Sequence, residues 1–151
     1  MTKLFVDSDG CPVREESIKV ASRNSVETFL VCAGGIRPYE NPLVQIIFVK
    51  EGLDSADDWI VENIEANDIA VTLDIPLAGR CIAKGALVVK PNGDILSDKN
   101  IGPVLASRNL SMSLRESGIE LGGPSPFSKS DRSNFSSTLE NLMRKLLNCA
   151  I

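Results

Sequence analysis

Two patterns alternate along this chain. Short runs are apolar nearly throughout, and longer stretches carry apolar residues every three or four positions. Lys3 to Val6 is such a run and stops at Asp7. Val26 to Cys32 and Val44 to Val49 repeat it, as do Ile69 to Leu73, ending at Asp74, and Ala86 to Val89. Runs apolar on both faces are what strands buried in a parallel sheet require. The pattern therefore predicts five strands.

Helix signals fall between them. Pro12 opens a segment from Val13 to Arg23, since proline is tolerated in a first turn. Ser55 is placed to cap a helix from Ala56 to Glu65. Pro76 opens another that reaches Lys84, with Gly85 to close it. Ala33 to Pro42 reads as a loop, Asn67-Asp68 as a turn, and Pro91-Asn92-Gly93-Asp94 as a tight turn. The alternation predicts an α/β fold of three layers, a mainly parallel central sheet with helices on both faces. Ligands of such open sheets bind beyond the carboxyl ends of the strands. Asp7 and Asp74 are expected there.

The rest of the chain predicts a helix from Asn100 to Ser117, bent or delayed by Gly102-Pro103, then a Gly/Pro/Ser-rich loop from Leu121 to Ser130. Phe135, Leu139, Leu142, Leu146 and Leu147 share one face of a final amphipathic helix, about residues 131–149. The 151 residues fit one domain.

Composition narrows the chemistry. Histidine is absent, which excludes imidazole acid–base catalysis and His-ligated metals. Cys11, Cys32, Cys81 and Cys149 form no C-x-x-C pair, so a zinc site is not expected and reduced thiols are. A chemical role for Cys11, beside the first acidic motif, stays open. The net charge of −4 and pI near 4.9 disfavour a general nucleic-acid coat. No run approaches the roughly 18 apolar residues of a membrane span, and the N-terminus does not resemble a signal peptide. A cytoplasmic protein is expected.

The acids carry the remaining signal. Asp7 and Asp9 leave the first strand in Val6-Asp7-Ser8-Asp9-Gly10-Cys11-Pro12. Asp57 is in helical register with Ile60, Val61 and Ile64, so it borders the apolar face, while Asp58 points away. Asp74 follows the fourth strand and precedes Pro76. Asp68, at that strand's other end, reads as a turn residue. Turn and capping chemistry explains each acid singly. Together they suggest carboxylates gathered at one sheet edge, where repulsion within about 4–6 Å is relieved by a cation. Oxygen ligands suit Mg²⁺ or Mn²⁺.

These motifs, with Ala56-Asp57-Asp58-Trp59-Ile60, Val71-Thr72-Leu73-Asp74-Ile75-Pro76-Leu77-Ala78, Lys84-Gly85-Ala86 and Gly122-Gly123-Pro124…Asp131-Arg132…Phe135, resemble the bacterial YaiI/YqxD family over nearly the whole chain. Ser8 and Gly10 stand where members often have alanine. That family is in turn distantly similar to PIN-like domains. The resemblance implies a PIN-like, Rossmann-like fold and a metal-dependent nuclease that hydrolyses phosphodiester bonds, with RNA as substrate. It implies Asp7, Asp57 and Asp74 as catalytic metal ligands, Asp9 as an auxiliary one, and Mg²⁺ or Mn²⁺ as cofactor. Arg14, Arg37, Arg80, Lys84 and Arg132 are candidates to neutralise phosphates, each weighed against an ordinary solvated charge. Oligomeric state, including a homodimer, is left open.

Two rival readings remain. Asp7-x-Asp9-Gly10 after a strand also resembles haloacid-dehalogenase-like phosphatases, with Asp7 as nucleophile. Cys32-Ala33-Gly34 lacks the Ser or Thr expected there. The other rival is a metal- or RNA-binding module without turnover.

Overall fold

The computed structural model describes residues 2–8, 11–33, 40–49, 55–102 and 127–149. Their elements run β1 (Lys3–Asp7), α1 (Arg14–Arg23), β2 (Glu27–Cys32), β3 (Val44–Phe48), α2 (Ser55–Asn63), β4 (Ile69–Val71), α3 (Ile75–Ala83), β5 (Leu87–Val89), β6 (Ile95–Leu96) and α4 (Lys129–Cys149). One six-stranded sheet has the order β3-β2-β1-β4-β5-β6. All pairings are parallel except β5 with β6. The α/β fold with a mainly parallel sheet is as the sequence predicts.

The layers follow from the two-residue period of the strands. Leu4, Val6, Leu30, Ile69, Val71 and Val89 face α1 and α4. Phe5, Val31, Ala70 and Val88 face α2 and α3. Burying such a side chain fully is worth about 1.5–3 kcal/mol. On the second face Phe29 stacks on Phe5 at 5.1 Å, and Trp59 of α2 lies 6.0 Å from both rings. This aromatic trio seats α2 against β1 and β2.

Some expectations change. Residues 44–48 form an edge strand, and Phe48 is 60% exposed, because β3 has a strand on one side only. Leu73 lies outside β4 and is 59% exposed. Ser55 is the first helical residue of α2. The pairing of Ile95–Leu96 was not predicted: two residues are too few to show a period. The turn before them brings Gly93, at φ +97°, against Asn134 of α4, where a Cβ would meet backbone at 2.9 Å.

The final helix starts at Lys129, inside the expected loop, because Ser128 and Asp131 form a capping box. The Asp131 amide donates to Ser128 Oγ at 3.2 Å, and the Ser128 amide donates to Asp131 Oδ2 at 3.0 Å. Of the helix expected from 100 to 117, residues 101 and 102 are helical, and 103–117 lie outside the described residues. So do Asp9, Arg37 and the Gly122-Gly123-Pro124 motif. No described helix is long and apolar enough to cross a membrane.

Candidate metal centre

The strand order reverses direction between β1 and β4. From β1 the chain steps through β2 to β3, and from β4 it steps the other way through β5. Loops leaving the carboxyl ends of two such strands diverge and open a crevice, the usual ligand site of open α/β sheets. Val6 is registered with Val71, so the next residues, Asp7 and Thr72, stand abreast at the mouth of that crevice.

Thr72 joins the two acidic motifs there. It is 3% exposed. Its hydroxyl donates to Asp7 Oδ2 at 3.1 Å, and its oxygen accepts the amide of Asp74 at 3.0 Å. Asp74 is the N-cap of α3: its Oδ1 accepts the Leu77 amide at 3.0 Å. The capping alternative therefore holds for Asp74. A carboxylate at a helix N-terminus is stabilised in its charged form by the amides and dipole of the first turn. Asp7 and Asp74 are both partly buried. Sequence reasoning identified both acids, while it used Thr72 only as part of the motif. The signal was available, since a polar residue closing an apolar strand between two aspartates has few partners but them.

Asp57 comes from a different element. It occupies the first turn of α2, and its charge acts on the Cys81 thiol of α3. Burial pushes that thiol up to about 12, Arg80 opposes the rise and Asp57 adds to it. Among the described residues, no three Asp, Glu or Cys side chains are grouped closely enough to hold a metal ion. Asp57 was expected at the site from its position on the apolar border of α2. Helix α2 packs against α3, whose Cys81 feels the Asp57 charge.

Two of the cations expected to meet phosphates engage α2. Arg80 is ion-paired with Asp58 at 3.0 Å. Lys84 donates to the Val61 carbonyl. Lys84 is the C-cap of α3, about 15 Å along the axis from Asp74 at 1.5 Å per residue, towards the opposite sheet edge. Asp68 lies at that edge too and is 1% exposed. Its two carboxylate oxygens accept the amides of Lys3 and Glu65, both at 2.9 Å, which confirms its placement away from the site.

Arg14 and Arg132 stay near the crevice. The Cys11 thiol, pushed up chiefly by burial, feels the charges of Asp7, Arg14 and Glu16. A raised thiol is protonated at neutral pH and is a poor nucleophile or metal ligand. Among the described residues, Arg14 Nε and Glu16 Oε2 are buried without hydrogen-bond partners. Arg132 Nη1 donates to the Pro12 carbonyl at 2.7 Å and to Glu16 Oε1 at 3.0 Å, tying α4 to the loop that follows β1.

Asp7 and Asp74 carry the kind of donor that hard cations take. Mg²⁺ is commonly held by one or two carboxylates and keeps waters that a substrate phosphate can replace. Asp7 and Asp74 offer oxygens only, at the crevice where the fold places ligands.

The family model described as "Uncharacterized BCR, YaiI/YqxD family" matches residues 5–145. A UPF0178 protein of Cereibacter sphaeroides is 53% identical over 146 residues, covering 96% of this chain and 90% of its own length. A UPF0178 protein of Roseobacter denitrificans is 48% identical, covering 96% and 97%. One from Agrobacterium fabrum is 46% identical, covering 95% and 94%. No solved structure matches. The match runs from within β1 through the switch-point crevice to most of α4, so the chain belongs to the YaiI/YqxD family.

Proposed function

We propose that this chain is a divalent-metal-dependent nuclease that hydrolyses phosphodiester bonds in RNA. One observation carries the reading: Thr72 couples Asp7 to the Asp74 turn at the topological switch point of the sheet. Asp7 and Asp74 would hold Mg²⁺ or Mn²⁺, and Asp9, two residues beyond Asp7, would assist. The bound ion would polarise a phosphoryl oxygen and lower the pKa of an attacking water.

The protein's own residues do the rest. Thr72 fixes the carboxyl plane of Asp7 through Oδ2. Asp74 is fixed by its cap to Leu77. Arg14, whose charge is felt at Cys11, would neutralise a phosphate brought to the pair. Arg132 holds the loop after β1 against α4 through Pro12, which positions that loop. Asp57 is assigned no ligand role in this scheme, and Arg80 and Lys84 are left to the α2–α3 surface.

The test is hydrolysis of single-stranded RNA by the purified protein with Mn²⁺. Activity lost in Asp7→Asn supports the reading. Equal activity in that variant identifies a contaminant, and RNA or metal binding without hydrolysis returns the protein to a binding module. Inhibition by beryllium fluoride, with turnover of phosphomonoesters, would instead favour a phosphatase with Asp7 as nucleophile.

A further inference from the structure

A second cavity opens beside the crevice. It encloses about 470 Å³ and is lined by Pro12, Leu73, Lys90, Pro91, Phe127 and Asp131, among others. That volume is ordinary for a small-ligand pocket. Its walls come from the loop after β1, the turn after β4, the end of β5 and the start of α4. Leu73 is the residue between Thr72 and Asp74, so the cleft begins where the Asp7–Asp74 crevice ends.

The lining has an unusual composition for an exposed position. Leu73 is 59% and Phe127 is 36% exposed, although both are large and apolar. The guanidinium of Arg132 lies 4.9 Å from the centre of the Phe127 ring, a cation–π contact that holds the ring's orientation. Lys90 brings positive charge to the cleft and is only weakly engaged by Asp94 at 4.0 Å. Asp131, the acid in the lining, is committed to the Ser128 cap. Flat apolar walls with a cation at the rim suit an aromatic ring bearing a phosphate.

We infer that this cleft is a nucleobase subsite, which receives a base of single-stranded RNA between Leu73 and Phe127 while its phosphate lies towards the Asp7–Asp74 pair. The inference rests on the nuclease reading for the identity of its ligand and is tested apart from it. Stacking on an aromatic side chain tolerates any base, because every base has a π face. The subsite would therefore favour unpaired RNA over duplex RNA without strong sequence preference.

The test uses the full chain without divalent metal, titrated calorimetrically with 5′-AMP and with ribose 5-phosphate, which lacks the base. AMP is expected to bind at least about fivefold more tightly, the lower end of a stacking contribution. Phe127→Ala and Leu73→Ser are each expected to remove that preference. Leu73 is exposed enough that its replacement leaves the core intact, so this variant decides the matter even if Phe127→Ala misfolds. Equal affinity for the two ligands, no AMP binding up to millimolar concentration, or a preference untouched by Leu73→Ser overturns the subsite. RNA hydrolysis is read in parallel. Base preference without hydrolysis supports the subsite and overturns the nuclease reading. Hydrolysis without base preference overturns the subsite alone.

Discussion

Thr72 Oγ1 lies 3.1 Å from Asp7 Oδ2, across the boundary between two strands that are 65 positions apart in sequence. The same oxygen accepts the amide of Asp74. A neutral hydroxyl thus sits between two acidic residues, donating to one and bracing the turn of the other. It fixes both where the sheet's topology opens.

Thr72→Val tests that coupling. Valine keeps the volume of this buried side chain but removes the Thr72 oxygen from the Asp74 amide and the Thr72 donor from Asp7. Chemical denaturation should show a loss of about 1–2 kcal/mol. Mn²⁺ affinity should fall about 10- to 100-fold, as for other residues that orient metal ligands. Unchanged stability and affinity would show that the hydroxyl is incidental.

The carboxylates should respond unequally. Calorimetric titration with Mn²⁺ is expected to show affinity lost in Asp7→Asn and retained in Asp57→Asn, since the proposed ligand pair is Asp7 and Asp74. Equal losses in the two variants would restore Asp57 to the ligand set.

Asp68→Ala should damage stability and spare the site. It strands two backbone amides, those of Lys3 and Glu65, at a buried position. The cost should be about 2–4 kcal/mol in denaturant unfolding. Metal affinity of the folded variant should match the wild type, because Asp68 lies at the far sheet edge.

Cys81 makes stability depend on alkaline pH. Its thiol is raised from the ordinary 9.0 to about 12, first by burial. Between those values the unfolded chain has lost the proton that the folded one retains. Stability is therefore fully present below pH 9 and declines as pH rises towards 12. Melting temperatures measured from pH 8 to 11 should fall, and Cys81→Ala should flatten the decline. A slope identical in both proteins would contradict the assignment.

Much of this fold is legible in the sequence because its central strands are buried on both faces. Leu4-Phe5-Val6 and Ile69-Ala70-Val71 are apolar without interruption, and each leads to an acid at the same sheet edge. Asp68 is separable from Asp74 because a strand's two ends cannot share a site. Long-range packing hides the rest. The helical pattern puts Asp57 on the border of an apolar face but is silent on whether that border meets the crevice or α3. Arg80 and Lys84 look like free cations until Asp58 and the Val61 carbonyl claim them. The cleft between Leu73 and Phe127 joins residues over 50 positions apart, and no local pattern announces it.

The most direct measurement is a crystal structure of the protein grown with Mn²⁺, with anomalous scattering recorded at the manganese edge. A peak bound by the carboxylate oxygens of Asp7 and Asp74 is expected, with Thr72 still on Asp7 Oδ2. A crystal at saturating Mn²⁺ with no peak at this pair, or with the ion held elsewhere, would contradict the proposed site.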